Sequence, residues 1–211
     1  MGKTLRAVEA AQTRAKPSRM QHMVRQYADR LSRAMTFDAM DEVPVLGTAL
    51  RDAWRDGRTI FLCGNGGSAG NAIHLANDFL YGVGVHNSRG GMHVEALSAN
   101  PAVITCLAND LGFDRIYSEQ LRVKAQPDDV LIVLSGSGNS PNVVKAIEIG
   151  NQIGMKTFAI LGFSGGRCKE LAQHPIHFEL DDMQIAEDLQ LIIGHLCMRW
   201  LCANPIFGIA P

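Results

Sequence analysis

Four side chains in this sequence have the types and spacing of a reacting centre: His74, Asp78, Glu187 and His195. His74 and Asp78 are four residues apart and would share a helix face, with Asn71 three residues before the histidine. Glu187 and His195 are eight residues apart and would lie along one side of a last helix. If the two helices meet, two imidazoles and two carboxylates converge, a set that suits Zn2+ or another divalent ion. The same groups suit proton transfer, with a carboxylate as base and an imidazole as acid. Plainer readings stand beside these. A His/Asp pair at this spacing is ordinary on a helix surface, and His195, inside Leu191-Ile192-Ile193-Gly194-His195-Leu196, has the setting of a core histidine.

A second chemistry is written in two loops. Gly64-Asn65-Gly66-Gly67-Ser68 and Ser135-Gly136-Ser137-Gly138-Asn139-Ser140 each follow an apolar run and open a helical pattern. Glycines admit close approach of the backbone to an anion, and the N–H groups at a helix start point towards it. The serine hydroxyls add donors without a fixed charge. One such loop can be a plain turn; two in equivalent positions are less easily coincidence. The first also satisfies the dinucleotide pattern G-x-G-x-x-[G/A]. That pattern wants an acidic residue about 20 positions on. Glu95 lies further along, and a dinucleotide leaves the serine loop unexplained, so no nucleotide cofactor is expected.

The elements that must position these residues alternate. Helical patterns cover Arg19 to about Ala34 and about Phe37 to Asp56. Short apolar runs at 58–63, 94–97, 129–134, 156–161 and 175–179 read as strands, the third without polar alternation. Helices are expected over about 68–80, from Pro101, over 141–154, after Gly166 and over 183–203. Strand–helix alternation means a doubly wound α/β fold with a parallel sheet. Residues 1–17 are polar, end at Pro17 and read as a flexible arm; 18–205 read as one domain. The two helices before the first strand have apolar faces that a subunit interface would cover.

Composition narrows the classes. Of 211 residues, 46% are hydrophobic and 19% charged, a globular balance that excludes disorder. With 20 Lys+Arg against 21 Asp+Glu, no global basic field draws in nucleic acid, and none is expected as a partner. No apolar run approaches the ~20 residues of a membrane helix, and the start has no leader pattern. The five cysteines are scattered and odd in number, as reduced thiols of a cytoplasmic protein are.

Gly64-Asn65-Gly66-Gly67-Ser68, Ala108-Asn109-Asp110 and Ser135-Gly136-Ser137-Gly138-Asn139-Ser140 together resemble the sugar-isomerase (SIS) domain, in its phosphoheptose isomerase branch. The likeness runs over roughly residues 20–203. It implies a flavodoxin-like five-stranded parallel sheet with two N-terminal helices and a long C-terminal one, and a homotetramer with shared active sites. It implies phosphate in the loop of Ser135, Ser137, Asn139 and Ser140. Asn65, Gly66, Gly67, Ser68 and Asn100 would then lie near the sugar. It also implies aldose–ketose isomerisation of a phosphosugar such as sedoheptulose 7-phosphate. Asp78 stands at the place of the family's glutamate base and His195 at that of its acid, with Glu187 a further candidate base. Some family members carry a metal there, which His74, Asp78, Glu187 and His195 would hold. Gly82, Asn100 and Glu187 depart from the family's arginine, aspartate and glutamine. The alternative is a non-catalytic SIS protein of the replication-initiation-regulator type.

Overall fold

A computed structural model describes residues 18–85 and 90–206. The arm expected over 1–17 lies outside them. Five strands, β1 (Thr59–Gly64), β2 (His93–Ala96), β3 (Val130–Ser135), β4 (Lys156–Leu161) and β5 (His174–His177), form one sheet. Every pairing is parallel and the order is β2-β1-β3-β4-β5, the expected doubly wound arrangement. β3 is central and buried at every position, which is why its sequence shows no alternation.

Helices cover both faces. On one lie α2 (Val43–Asp56), α3 (Gly67–Asn77) and α8 (Met183–Ala203), enclosing Leu50, Leu62, Ile132, Phe158, Leu189 and Ile193. On the other, α5 (Ser118–Lys124), α6 (Pro141–Ile153) and α7 (Gly166–Leu171) pack on Phe61, Leu131, Val133 and Leu161. Neighbours in β1 and β3 alternate between the two cores, so both faces of the sheet are dry. α4 (Pro101–Asp110) is an outer helix with no buried residue. α1 (Arg19–Ala34) opens with a capping box between Ser18 and Gln21 and buries only Ala34.

Three local expectations change. The helix expected from Phe37 starts at Val43, after a 3-10 turn over Asp38–Glu42, because Pro44 fits only the first turn of an α-helix. α5 has no counterpart in the sequence reading; seven residues are too few for a periodic apolar signal. α3 ends at Asn77 and widens into a π turn over Asp78–Gly82, where the Val83 N–H donates to the Asp78 carbonyl.

Candidate active site

From β1 the chain leaves through α3 to β2 on one side, then crosses to β3 on the other. The winding of the chain therefore reverses between β1 and β3, the point beyond whose strand ends doubly wound folds bind their ligands. The two glycine-rich loops flank it.

The loop after β3 is pre-formed. The Gly138 N–H donates to Ser135 Oγ at 3.0 Å, and the Asn139 N–H to Ser137 Oγ at 3.3 Å. Each hydroxyl that accepts keeps its own proton to give to a ligand. Ser140 is the N-cap of α6 but makes no side-chain cap bond, so its hydroxyl is also uncommitted to the helix. Asn139 is used differently. Its Nδ2 donates to the Ser137 carbonyl and its Oδ1 accepts from the Arg167 N–H, bracing the loop against α7. Gly138 sits at φ 66°, and a Cβ there would overlap the Gly165 carbonyl, so only glycine fits.

The loop after β1 is locked from below. Asn65 and Asn142 exchange two amide hydrogen bonds, at 2.9 and 2.7 Å. The phenol of Tyr117 donates to the Gly64 carbonyl. Burial pushes that phenol well above its usual pKa, so it remains a donor. Ser68 is buried, and its hydroxyl accepts from Gln190 Nε2 at 3.0 Å. Gly66 and Gly67 are exposed at the mouth.

α3 and α8 then bring the titratable groups together. A Cβ on Gly194 would overlap the Leu75 side chain, so this glycine sets the closeness of the two helices. Asn71 Nδ2 donates across the contact to the Glu187 carbonyl and to Gln190 Oε1, both at 3.0 Å. One helical step on, His74 Nε2 and His195 Nε2 are 3.0 Å apart. Asp78 Oδ2 lies 3.5 Å from the first and 3.3 Å from the second. Asp78 is the more enclosed of the three, with 16% of its side chain exposed, against 49% and 45% for the imidazoles.

Three of the four expected metal-site residues therefore meet, and Glu187 does not join them. Two turns separate it from His195, about 12 Å along the helix axis. Its carboxylate instead covers the Cα of Gly67, at the start of α3. The positive end of that helix faces a carboxylate of the protein itself. Asn100 is also differently employed: its Oδ1 accepts from the N–H groups of Ala102 and Val103 and caps α4. The sequence reading missed Gln190, Asn142 and Tyr117. The first two carry a weak signal, a buried amide on an otherwise apolar helix face and an asparagine directly after the Pro141 helix start.

Two glycine-rich loops at the switch point of a doubly wound parallel sheet, with a His/Asp/His cluster where α3 meets α8, define the class of the fold. The sequence profile of the SIS domain matches residues 24–162, and the chain belongs to that family. Within it, the chain falls in the phosphoheptose isomerase-like branch. It is 35% identical over 176 residues to a phosphoheptose isomerase of Chlorobaculum parvum, covering 82% of this chain and 83% of that one. A Trichlorobacter lovleyi phosphoheptose isomerase is 33% identical, over 89% of this chain and 95% of its own. The fold is that of a Francisella tularensis phosphoheptose isomerase, with TM-score 0.81 at 22% identity over 88% of this chain and all of that one (100%).

Proposed function

We propose that this protein is an aldose–ketose isomerase acting on a phosphosugar of the sedoheptulose 7-phosphate type. The observation that carries the reading is the placement of Asp78 Oδ2 3.3 Å from His195 Nε2, in a chain that also holds an internally braced serine loop at 135–140. The phosphate belongs in the loop of Ser135, Ser137 and Ser140, because Glu187 already occupies the start of α3 and would repel a second anion there. Asn65, Gly66, Gly67 and Ser68 line the sugar's side of the crevice.

In the ketose-to-aldose direction the carboxylate removes a proton from C1 and the imidazolium gives one to the C2 carbonyl oxygen. The resulting enediol takes a proton at C2 and loses the one on the C1 oxygen, so charge and protons balance. Asp78 is the first candidate for the base and Glu187 the second. The five cysteines are all free, which suits the reducing cytoplasm. Among the described residues no helix is long and apolar enough to cross a membrane.

His74, Asp78 and His195 fit a divalent ion. Their three ligand atoms are 3.0, 3.3 and 3.5 Å apart. A tetrahedral zinc with bonds of about 2.0–2.1 Å requires separations near ~3.3 Å. Bound there, such an ion would polarise the substrate carbonyl as a Lewis acid in place of the imidazolium, with Asp78 Oδ2 and His195 Nε2 then serving as ligands and not as the proton-transfer pair. The fourth position would be left to substrate or water.

A homotetramer with shared sites suits two features. Met20, Met23 and Val24 on α1 and Leu196 and Trp200 on α8 are exposed apolar side chains. Asp78, directly after the end of α3, lies ten residues from Ser68, about 15 Å along the helix axis. A neighbouring subunit's loops would shorten that span.

The test is turnover of sedoheptulose 7-phosphate, followed by proton NMR of the aldose anomeric signal. Aldose formation supports the reading. No aldose from any C5–C7 ketose phosphate would turn it towards a non-catalytic phosphosugar binder.

A further inference from the structure

The two loops of the crevice are joined at one point by a closed pair of amides. Asn142 is 1% exposed, in the first turn of α6, and faces Asn65 at the end of β1, 77 residues away in sequence. Each Nδ2 donates to the other's Oδ1, at 2.9 and 2.7 Å. The ring has a fixed sense, because the Val143 N–H donates to Asn142 Oδ1 at 2.9 Å. Oδ1 of Asn142 must therefore face that N–H and its Nδ2 must face Asn65 Oδ1. The sense of Asn65 follows: one of its two amide protons is spent on Asn142, and the other is left to donate. Asn65 itself is only half-buried, at the mouth of the crevice.

From this geometry we infer that Asn142 is a positioning residue. It never touches the ligand; it sets which way Asn65 presents its remaining N–H, and it ties that donor to the helix whose first turn carries the phosphate loop. The two ligand-binding walls then hold one register. Amides are long enough to swing through about 180° at little torsional cost, so an unpaired Asn65 would offer oxygen and nitrogen to the crevice in turn. An oxygen turned towards a sugar hydroxyl or phosphate oxygen replaces a donor with an acceptor. The pairing also gives both amide heavy atoms of the buried Asn142 a partner, the condition under which a polar contact specifies a single arrangement. The role in binding rests on the phosphosugar reading above; the amide pairing does not.

The experiment has two arms. In the first, the side-chain amide signals of Asn65 are followed by 15N NMR in the ligand-free wild type and in Asn142→Ala. Two well-separated, slowly exchanging protons in the wild type, collapsing to a fast-exchanging pair in the variant, are expected. Fast exchange of the Asn65 amide in the wild type itself would overturn the inference, and this readout needs neither turnover nor a folded variant. In the second arm, kcat/KM for sedoheptulose 7-phosphate is measured in wild type, Asn65→Ala, Asn142→Ala and the double variant. A loss of about 10- to 100-fold is expected in each single variant, the scale of a misplaced contact. If Asn142 acts through Asn65, Asn142→Ala lowers kcat/KM less than about twofold further in the Asn65→Ala background. A full second loss there would make Asn142 merely structural. A wild type inert towards the sugar, with its Asn65 amide still protected, would remove the phosphosugar reading and leave the positioning role standing.

Discussion

Asp78 and His195 meet at 3.3 Å although 117 residues separate them, and each reaches the contact from a different device. Asp78 begins a π turn, a local widening that is frequent at functional positions. His195 follows Gly194, whose missing side chain lets α8 lie against Leu75. The sum is a carboxylate enclosed by protein beside two half-exposed imidazoles.

That contact makes a direct prediction. Asp78→Asn keeps the shape and removes the charge, so turnover should fall by roughly 10²- to 10⁴-fold, the usual contribution of a general acid–base group. His195→Ala should fall by a similar factor. Circular dichroism should show both variants folded. Wild-type-like kcat in either, measured on the isomerisation, would take that residue out of proton transfer.

The spacing of His74, Asp78 and His195 makes a second. Protein purified without a tag or chelator should carry close to one zinc or similar ion per chain by elemental analysis. His74→Ala should lose most of it. Less than about a tenth of an equivalent in the wild type would remove the metal role and leave the three residues to proton transfer.

Gly194→Val places two methyl groups where Leu75 now lies. Overpacking of this kind costs roughly 1–3 kcal/mol. In a domain of this size the melting temperature should drop by about 2–4 °C per kcal/mol. The same substitution spreads α3 from α8, so turnover should fall more than stability implies. An unchanged melting curve would show that the helices do not approach so closely.

Gly138→Ala meets both a left-handed backbone at φ 66° and the Gly165 carbonyl. The expected outcome is a raised KM, or a weakened Kd for inorganic phosphate, by tenfold or more with smaller change in kcat. A normal KM would move the phosphate away from this loop.

The sequence made the sheet and the two loops legible because their signals are local. An apolar run ending in glycine and serine, then a helix start, needs no distant partner to be recognised, and β3 with Ser135–Ser140 is the clearest case. His74 and Asp78 were legible for the same reason, as a four-residue spacing. What was not legible depends on contacts across the chain. Glu187 reads as a fourth ligand by residue type, but a helix that places His195 at the cluster carries Glu187 two turns away, over Gly67. Asn100 looks like a free polar group until the helix it caps is known to start at Pro101. Asn142 and Gln190 resemble ordinary helix polar residues, and only their partners 77 and 122 residues away show what they hold.

The most direct test of proton transfer between C1 and C2 is solvent exchange. Sedoheptulose 7-phosphate is incubated with the protein in D2O, with and without added Zn2+, and followed by proton NMR. An enediol formed at Asp78 and His195 should place deuterium at C1 of the ketose or C2 of the aldose, and Asp78→Asn should suppress it at least 100-fold. Aldose formed with no deuterium at either carbon in D2O would contradict a solvent-exchanging enediol. Full exchange in Asp78→Asn would contradict the role given to that carboxylate.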